Sequence, residues 1–218
     1  MRSITASCIC NVDPGAGMNR DNLLFAGQLL PERNGGLAGA PSTRAKPPFA
    51  VAVFRGYGPE GAGAAAAHRA AGALLETGAE LTDGKPLSEL LFPLCAETLT
   101  EAGAPVGCGA AAVFLSEDRL SLASCGDCRA YLFRGRSLFL LTPGAGPEAQ
   151  PYTLSGEPLA GDRLLLCTGT LAEALSAQQL LELCAGAGSD PDALQRLLQH
   201  ARTQGARDSV TAVLLRFE

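Results

Sequence analysis

Four short apolar runs, residues 109–115, 120–125, 129–134 and 137–142, follow one another with only Ser-Glu-Asp, Gly-Asp and Gly-Arg turns between them. Turns this tight reverse a strand but cannot return it parallel to its neighbour, which takes a crossover of a dozen or more residues. The middle of the chain therefore reads as an antiparallel meander that the flanking segments must cover. Residues 3–12 and 22–30 read as strands, separated by turn chemistry at Asp13-Pro14-Gly15-Ala16-Gly17. Residues 31–48, rich in Pro and Gly, read as a surface loop. Residues 49–54 form a third apolar strand, handing over through Arg55-Gly56-Tyr57-Gly58 to a helix over 60–78. Ala64, Ala67, Ala71, Leu74 and Leu75 share one face of that helix at three- and four-residue spacings. A second helix is expected over 86–102, burying Leu87, Leu90, Leu91, Leu94 and Leu99. Beyond the meander, 143–161 reads as a Pro/Gly-rich connection and 162–167 as a strand. Helices follow over 171–185 and 191–203, the latter opened by Ser189-Asp190-Pro191, and 209–217 is a closing strand. The expected fold class is α+β, sheets packed face to face with helices outside, in one domain spanning 1–218.

Composition narrows the partners. Charged residues make up 18% of the 218, with a net charge of -5 and both signs mixed along the chain, which disfavours a nucleic-acid role. Aromatic content of 5% and the lack of Trp leave base-stacking platforms poorly supplied. No stretch approaches the roughly 18 apolar residues of a membrane span, and the first residues lack the apolar core of a secretory signal. No membrane partner and a cytoplasmic location are therefore expected. The eight cysteines lie mostly in apolar runs and read as reduced, buried thiols. Cys125-Gly126-Asp127-Cys128 has redox or zinc spacing but no second Cys/His pair at usable distance. His68 and His200 read as solvent-facing.

The order of motifs resembles the PPM family, the metal-dependent (type 2C) serine/threonine protein phosphatases. Asn19-Arg20-Asp21-Asn22 is similar to that family's Asn-Glu-Asp motif, and residues 49–58, ending Arg55-Gly56-Tyr57-Gly58, to its strand ending in Asp-Gly-x-Gly. Gly126-Asp127-Cys128-Arg129-Ala130-Tyr131 resembles Gly-Asp-Ser-Arg-Ala-Tyr. Residues 161–171 resemble Gly-Asp-x-Leu-Leu-Leu-Cys-Ser-Asp-Gly-Leu, and Asp208-Ser209-Val210-Thr211 the closing Asp-Asn-x-Thr. The resemblance implies a four-layer αββα sandwich of two antiparallel sheets flanked by helices. It also implies hydrolysis of phosphoserine or phosphothreonine esters by water held on two Mn²⁺ or Mg²⁺ ions, which favour oxygen ligands.

Carried over residue by residue, the resemblance gives a damaged centre. The family's Glu falls on Arg20, its metal-bridging Asp on Arg55 ahead of Gly56, and a further Asp on Gly169. Asp21 and Asp208 remain, with Asp127 as the carboxylate of an additional metal. The phosphate-binding Arg has no counterpart, and the 143–161 connection is too short for the flap subdomain. Like charges a few Å apart at an effective dielectric of about 20 repel by roughly 4 kcal/mol per unit pair, so two new arginines oppose metal binding. The expectation is that Arg55 replaces the metals by bridging Asp21 and Asp208. This predicts no high-affinity cofactor and a pseudophosphatase that binds a protein or phosphorylated partner. Two alternatives stand beside it: a minimal Mn- or Mg-dependent phosphatase using Asp21, Asp127 and Asp208, and a domain holding an anion between Arg20 and Arg55.

Overall fold

The computed structural model describes the chain except residues 1, 2, 13, 14, 16, 60, 83, 97, 100–102, 118 and 143–150. Its first part runs β1 (Ile4–Asn11), β2 (Asp21–Phe25), β3 (Gln28–Leu29), β4 (Ser42–Ala45) and β5 (Phe49–Tyr57), then α1 (Ala62–Glu76), α2 (Gly78–Thr82) and α3 (Leu87–Cys95). After the short β6 (Thr98–Leu99) come β7 (Pro105–Ser116), β8 (Arg119–Cys125), β9 (Arg129–Arg134), β10 (Ser137–Leu140), β11 (Tyr152–Gly156) and β12 (Arg163–Cys167). The chain closes with α4 (Gly169–Ala174), α5 (Ala177–Ala185), α6 (Asp190–Thr203) and β13 (Val210–Phe217).

One sheet has the order β10-β9-β12-β13-β1-β4 and the other β11-β8-β7-β5-β2-β3, with β6 beside β7. Every pairing between the described strands is antiparallel. The alternation of side chains explains why these strands are apolar on both faces. In β7, Ala111, Val113 and Leu115 point into a core between the sheets with Val51, Val53, Leu122, Leu166 and Val213. Their neighbours Cys108, Ala110, Ala112 and Phe114 face the first helices through Ala67, Ala71, Leu74 and Leu91. On the other side, Leu165, Cys167 and Leu214 pack on Leu171, Leu180, Leu194 and Leu197 of the later helices. The result is four layers, helices–sheet–sheet–helices, as the resemblance implied.

Several expectations change in detail. The four runs of 109–142 do not make one meander: β7 and β8 form a hairpin in one sheet, β9 and β10 in the other. Gly126, Asp127 and Cys128 carry the chain across, because each layer needs its own partnered strands. Residues 22–30 are a hairpin rather than one strand, reversed at Ala26 and Gly27, both with positive φ. The 31–48 loop is tied to the body by β4 on β1 and by a bridge from Gly36 to Asn11. In the 143–161 connection, residues 143–150 lie outside the described residues and Tyr152–Gly156 is a strand on β8. The expected turn at 13–17 likewise lies partly outside them.

The helix expected over 171–185 is two helices, because Ser176 starts a new one with a capping box to Gln179. The helix over 86–102 ends at Cys95; Glu97 and residues 100–102 lie outside the described residues, as does the Leu99 side chain. Leu75 is 36% exposed although its helix mates are buried. His68 is half-buried, its Nδ1 3.1 Å from the Leu30 carbonyl oxygen, and His200 Nε2 lies 3.2 Å from Gln179 Nε2. Among the described residues no helix is long and apolar enough to cross a membrane.

Candidate functional site

The strands that carry the motif residues end at one rim of the two sheets. Asp21 opens β2 and sits opposite Arg55 in β5, which in turn sits opposite Gly109 in β7. Arg55 is therefore a strand residue held on both sides, not a hinge beyond the strand end. Gly56 follows it because a Cβ there would run into the backbone of Gly63, where α1 lies directly against the strand. From the other sheet come Thr168 and Gly169 at the end of β12 and Asp208 just before β13. Asp127 arrives on the crossover between the sheets.

Arg55 joins these elements. Its Nη1 donates to Asp127 Oδ2 at 2.7 Å and its Nη2 to Asp208 Oδ2 at 3.2 Å. The fork thus reaches Asp208 as expected, but its second partner is Asp127 and not Asp21. Partial burial disfavours the guanidinium charge, yet the carboxylates of Asp127, Asp21 and Asp208 outweigh it and hold the Arg55 pKa above its ordinary value. Gly169 packs against this pair: a Cβ at that position would lie 2.8 Å from Arg55 Nη1 and closer still to Asp127 Oδ2. Gly109 makes a similar allowance, since its Cβ would meet Asp127 Oδ1 at 3.0 Å.

Asp21 is 2% exposed and stands apart from the fork. Thr168 Oγ1 donates to its Oδ2 at 3.0 Å, while its Oδ1 has no hydrogen-bond partner among the described residues. Burial is the main cause that raises its pKa from 3.8 to about 7, against the pull of neighbouring hydroxyls and of Arg55. Its backbone N–H is fixed by Asn19 Oδ1 at 2.9 Å, and Asn19 in turn donates to Asn34 Oδ1 at 2.6 Å. The 31–48 segment therefore buttresses the site through Asn34. Asn22, next along the motif, points the other way and staples the β2–β3 hairpin through Leu30.

Asp208 is positioned from α6. Arg202 Nη1 donates to the Asp208 carbonyl at 2.7 Å and to the Ala206 carbonyl at 3.0 Å, and its Nη2 to Asn11 Oδ1 at 3.0 Å. Ser209 adds a backbone N–H to Asp208 Oδ1 at 2.7 Å and accepts the Arg20 N–H at 3.2 Å. A cavity of about 640 Å³ opens beside the fork, and Arg20, Arg55, Arg207, Glu173 and Asp208 are among its lining residues. Arg20 and Arg207 are exposed, free to meet an incoming anion. Among the described residues no three His, Cys, Asp or Glu side chains are grouped so as to hold a metal ion.

Of the residues singled out in the sequence, Arg55, Asp127, Asp208 and Gly169 meet at the fork, Asp21 lies behind it and Arg20 on the cavity wall. Thr168, Asn34, Arg202, Glu173 and Arg207 were not singled out. Thr168, inside the 161–171 motif, and Arg207, immediately before Asp208, carry a sequence signal; Asn34, Arg202 and Glu173 carry none.

No family model and no curated protein matches the chain. Solved structures do. The serine/threonine phosphatase PstP/Ppp of Mycobacterium tuberculosis superposes with a TM-score of 0.71 at 21% identity, over 98% of each chain. A structure of the PstP catalytic domain in complex with two manganese ions gives 0.73 at 21%, over 100% of this chain and 99% of that one. The PPM Ser-Thr phosphatase MsPP of Mycobacterium smegmatis, in complex with cacodylate, gives 0.71 at 19%, over 97% of each. Identities this low establish a common fold, and the fold spans essentially the whole chain.

Proposed function

We propose that this chain, which has the fold of the PPM-type serine/threonine phosphatases, works by binding rather than by two-metal hydrolysis. In this reading it is a single-domain, cytoplasmic pseudophosphatase whose cavity receives a protein or a phosphorylated group. One observation carries the reading: the Arg55 guanidinium lies between Asp127 and Asp208, donating to both. A divalent cation entering there would meet a fixed positive charge, at a cost of roughly 4 kcal/mol per unit pair for close contact at an effective dielectric of about 20. It would also have to take carboxylate oxygens already held by charge-assisted hydrogen bonds. Gly169 supports the same reading, because a side chain there would displace the Arg55–Asp127 pair. The missing carboxylate and the gained arginine are one packing solution. With Arg20 and Arg207 on its wall, the cavity suits an anionic ligand such as a phosphate ester.

A second reading, a minimal Mn- or Mg-dependent phosphatase, is favoured by Asp21 Oδ1, a buried oxygen without a hydrogen-bond partner among the described residues that a cation could satisfy. Calorimetric titration with Mn²⁺ and assays of p-nitrophenyl phosphate hydrolysis separate the two. The binding module shows neither stoichiometric micromolar Mn²⁺ uptake nor metal-dependent turnover. Both together, with turnover abolished by Asp208→Asn, would replace it with the enzyme. The ligand is probed with a phosphoserine peptide, whose binding the module retains without metal and loses in Arg20→Ala or Arg207→Ala.

A further inference from the structure

Arg55 and Tyr57 are alternate residues at the end of β5 and so leave the same face of the strand, at the rim where the two sheets end. Each is shared between neighbouring depressions. The cavity beside the fork continues past Arg55 and Glu173, which also line a second cavity of about 270 Å³. That cavity in turn shares Tyr57 and Gly126 with a third, of about 260 Å³, walled by Phe92 and Pro151 among others. Joined through these residues, the three make one groove across the rim. Its ends differ in chemistry. At the first, Arg20 and Arg207 are exposed, and Gly61 gives the first turn of α1 no side-chain cap. Thr170 lines the same cavity, its buried Oγ1 without a hydrogen-bond partner among the described residues. All of these are donors that a phosphoryl oxygen satisfies. At the other end Tyr57 lies over Gly107, its partner in β7, where a Cβ would run into the phenol. No charged side chain lines this third cavity among the described residues.

We propose that the groove binds an extended phosphorylated segment of a partner protein by two determinants, a phosphoryl group at Arg20 and Arg207 and an apolar side chain between Tyr57 and Phe92. The proposal rests on the reading above that the cavity receives a phosphorylated group, and adds what the rest of the ligand must be. Charge complementarity selects an anion for the first cavity, and the uncharged wall of the third selects an apolar group. A free phosphate ion would fill only the first and leave the third unused. A helix is about 10–12 Å across with its side chains, too broad for a row of depressions that each suit one side chain. An extended chain instead sets successive side chains on alternate sides and can drop every second one into such a row. The two determinants lie on one chain, so burial of the apolar side chain adds to a phosphoryl contact already made. Covering one leucine-sized side chain tightens binding by about tenfold.

The test measures fluorescence anisotropy of labelled Gly/Ala peptides with a central phosphoserine and a single Leu moved through each flanking position, without added metal. A Leu-free phosphopeptide is the reference. The expected result is one position on one side of the phosphoserine at which Leu tightens binding about tenfold over the reference. In Phe92→Ala that gain disappears while the reference peptide binds as before, and Arg20→Ala weakens every peptide of the series. Binding of the reference with no gain from Leu at any position would overturn the two-determinant groove and leave the phosphate reading standing. Failure of every phosphopeptide to bind would remove both. Equal binding of the best Leu peptide without its phosphate would also overturn the proposal, since the apolar end would then act alone. The wild-type series decides among these outcomes even where a variant fails to fold.

Discussion

At the scale of single residues the site is governed by where each charge finds its counterpart. Arg55 meets two carboxylates and Asp21 meets a hydroxyl, so the two behave oppositely. Removing the guanidinium in Arg55→Met leaves Asp127 and Asp208 facing each other, and chemical denaturation should show a loss of about 2 kcal/mol. Adding Asp127→Asn in that background should recover part of it. For Asp21 the pKa rises on folding, from 3.8 to about 7. Between those values the native chain holds a proton that the unfolded chain has released, so stability is greatest below pH 4 for this group. It declines as pH rises towards 7 and is level beyond. The span is on the order of 4 kcal/mol, and Asp21→Asn should flatten the corresponding slope in denaturation midpoints measured from pH 5 to pH 8. Asp21 was legible in the sequence as a strand-opening acid. That its charge would be desolvated rather than paired with Arg55 was not, because although the register sets the two opposite each other, the guanidinium is taken by Asp127 and Asp208, which arrive from far along the chain.

At the scale of elements, close approach decides more than propensity. α1 is rich in Ala, with Gly63 near its start, because its first turn lies on Gly56 of β5 with no room for a Cβ on either side. Gly56→Ala should destabilise by about 3 kcal/mol, read from the urea midpoint, since backbone rather than a flexible side chain blocks the new methyl. α5 depends instead on its local signal. Ser176 and Gln179 exchange side-chain and backbone hydrogen bonds at its N-terminus, so Ser176→Ala should lower stability by about 1 kcal/mol in the same assay. That capping box stands in the sequence, masked by the continuous apolar pattern across 171–185. The 31–48 segment shows the reverse failure: Pro and Gly suggested a loop, and pairing with β1 made part of it an edge strand.

At the scale of the whole molecule the two sheets share one apolar core, and the site forms where their ends meet. Leu166 is fully buried between the sheets with Val53, Leu122 and Val213. Leu166→Ala should cost about 3 kcal/mol in thermal or chemical unfolding, a cavity term added to the lost burial. The sequence by itself determined the class of fold: apolar runs of strand length joined by tight turns can only pair antiparallel, and helical periodicity flanking them must cover their outer faces. It also determined which residue types stand at the motif positions, hence that Arg20, Arg55 and Gly169 occupy places where the resemblance implied acids. Tertiary structure alone decided which strands share a sheet, because hairpin chemistry is local and is the same whether the next hairpin continues the sheet or crosses to the facing one. It decided as well that Arg55 would grip Asp127 and Asp208. Those carboxylates stand 72 and 153 residues away along the chain, and no local pattern records a meeting fixed by two sheets closing on one another.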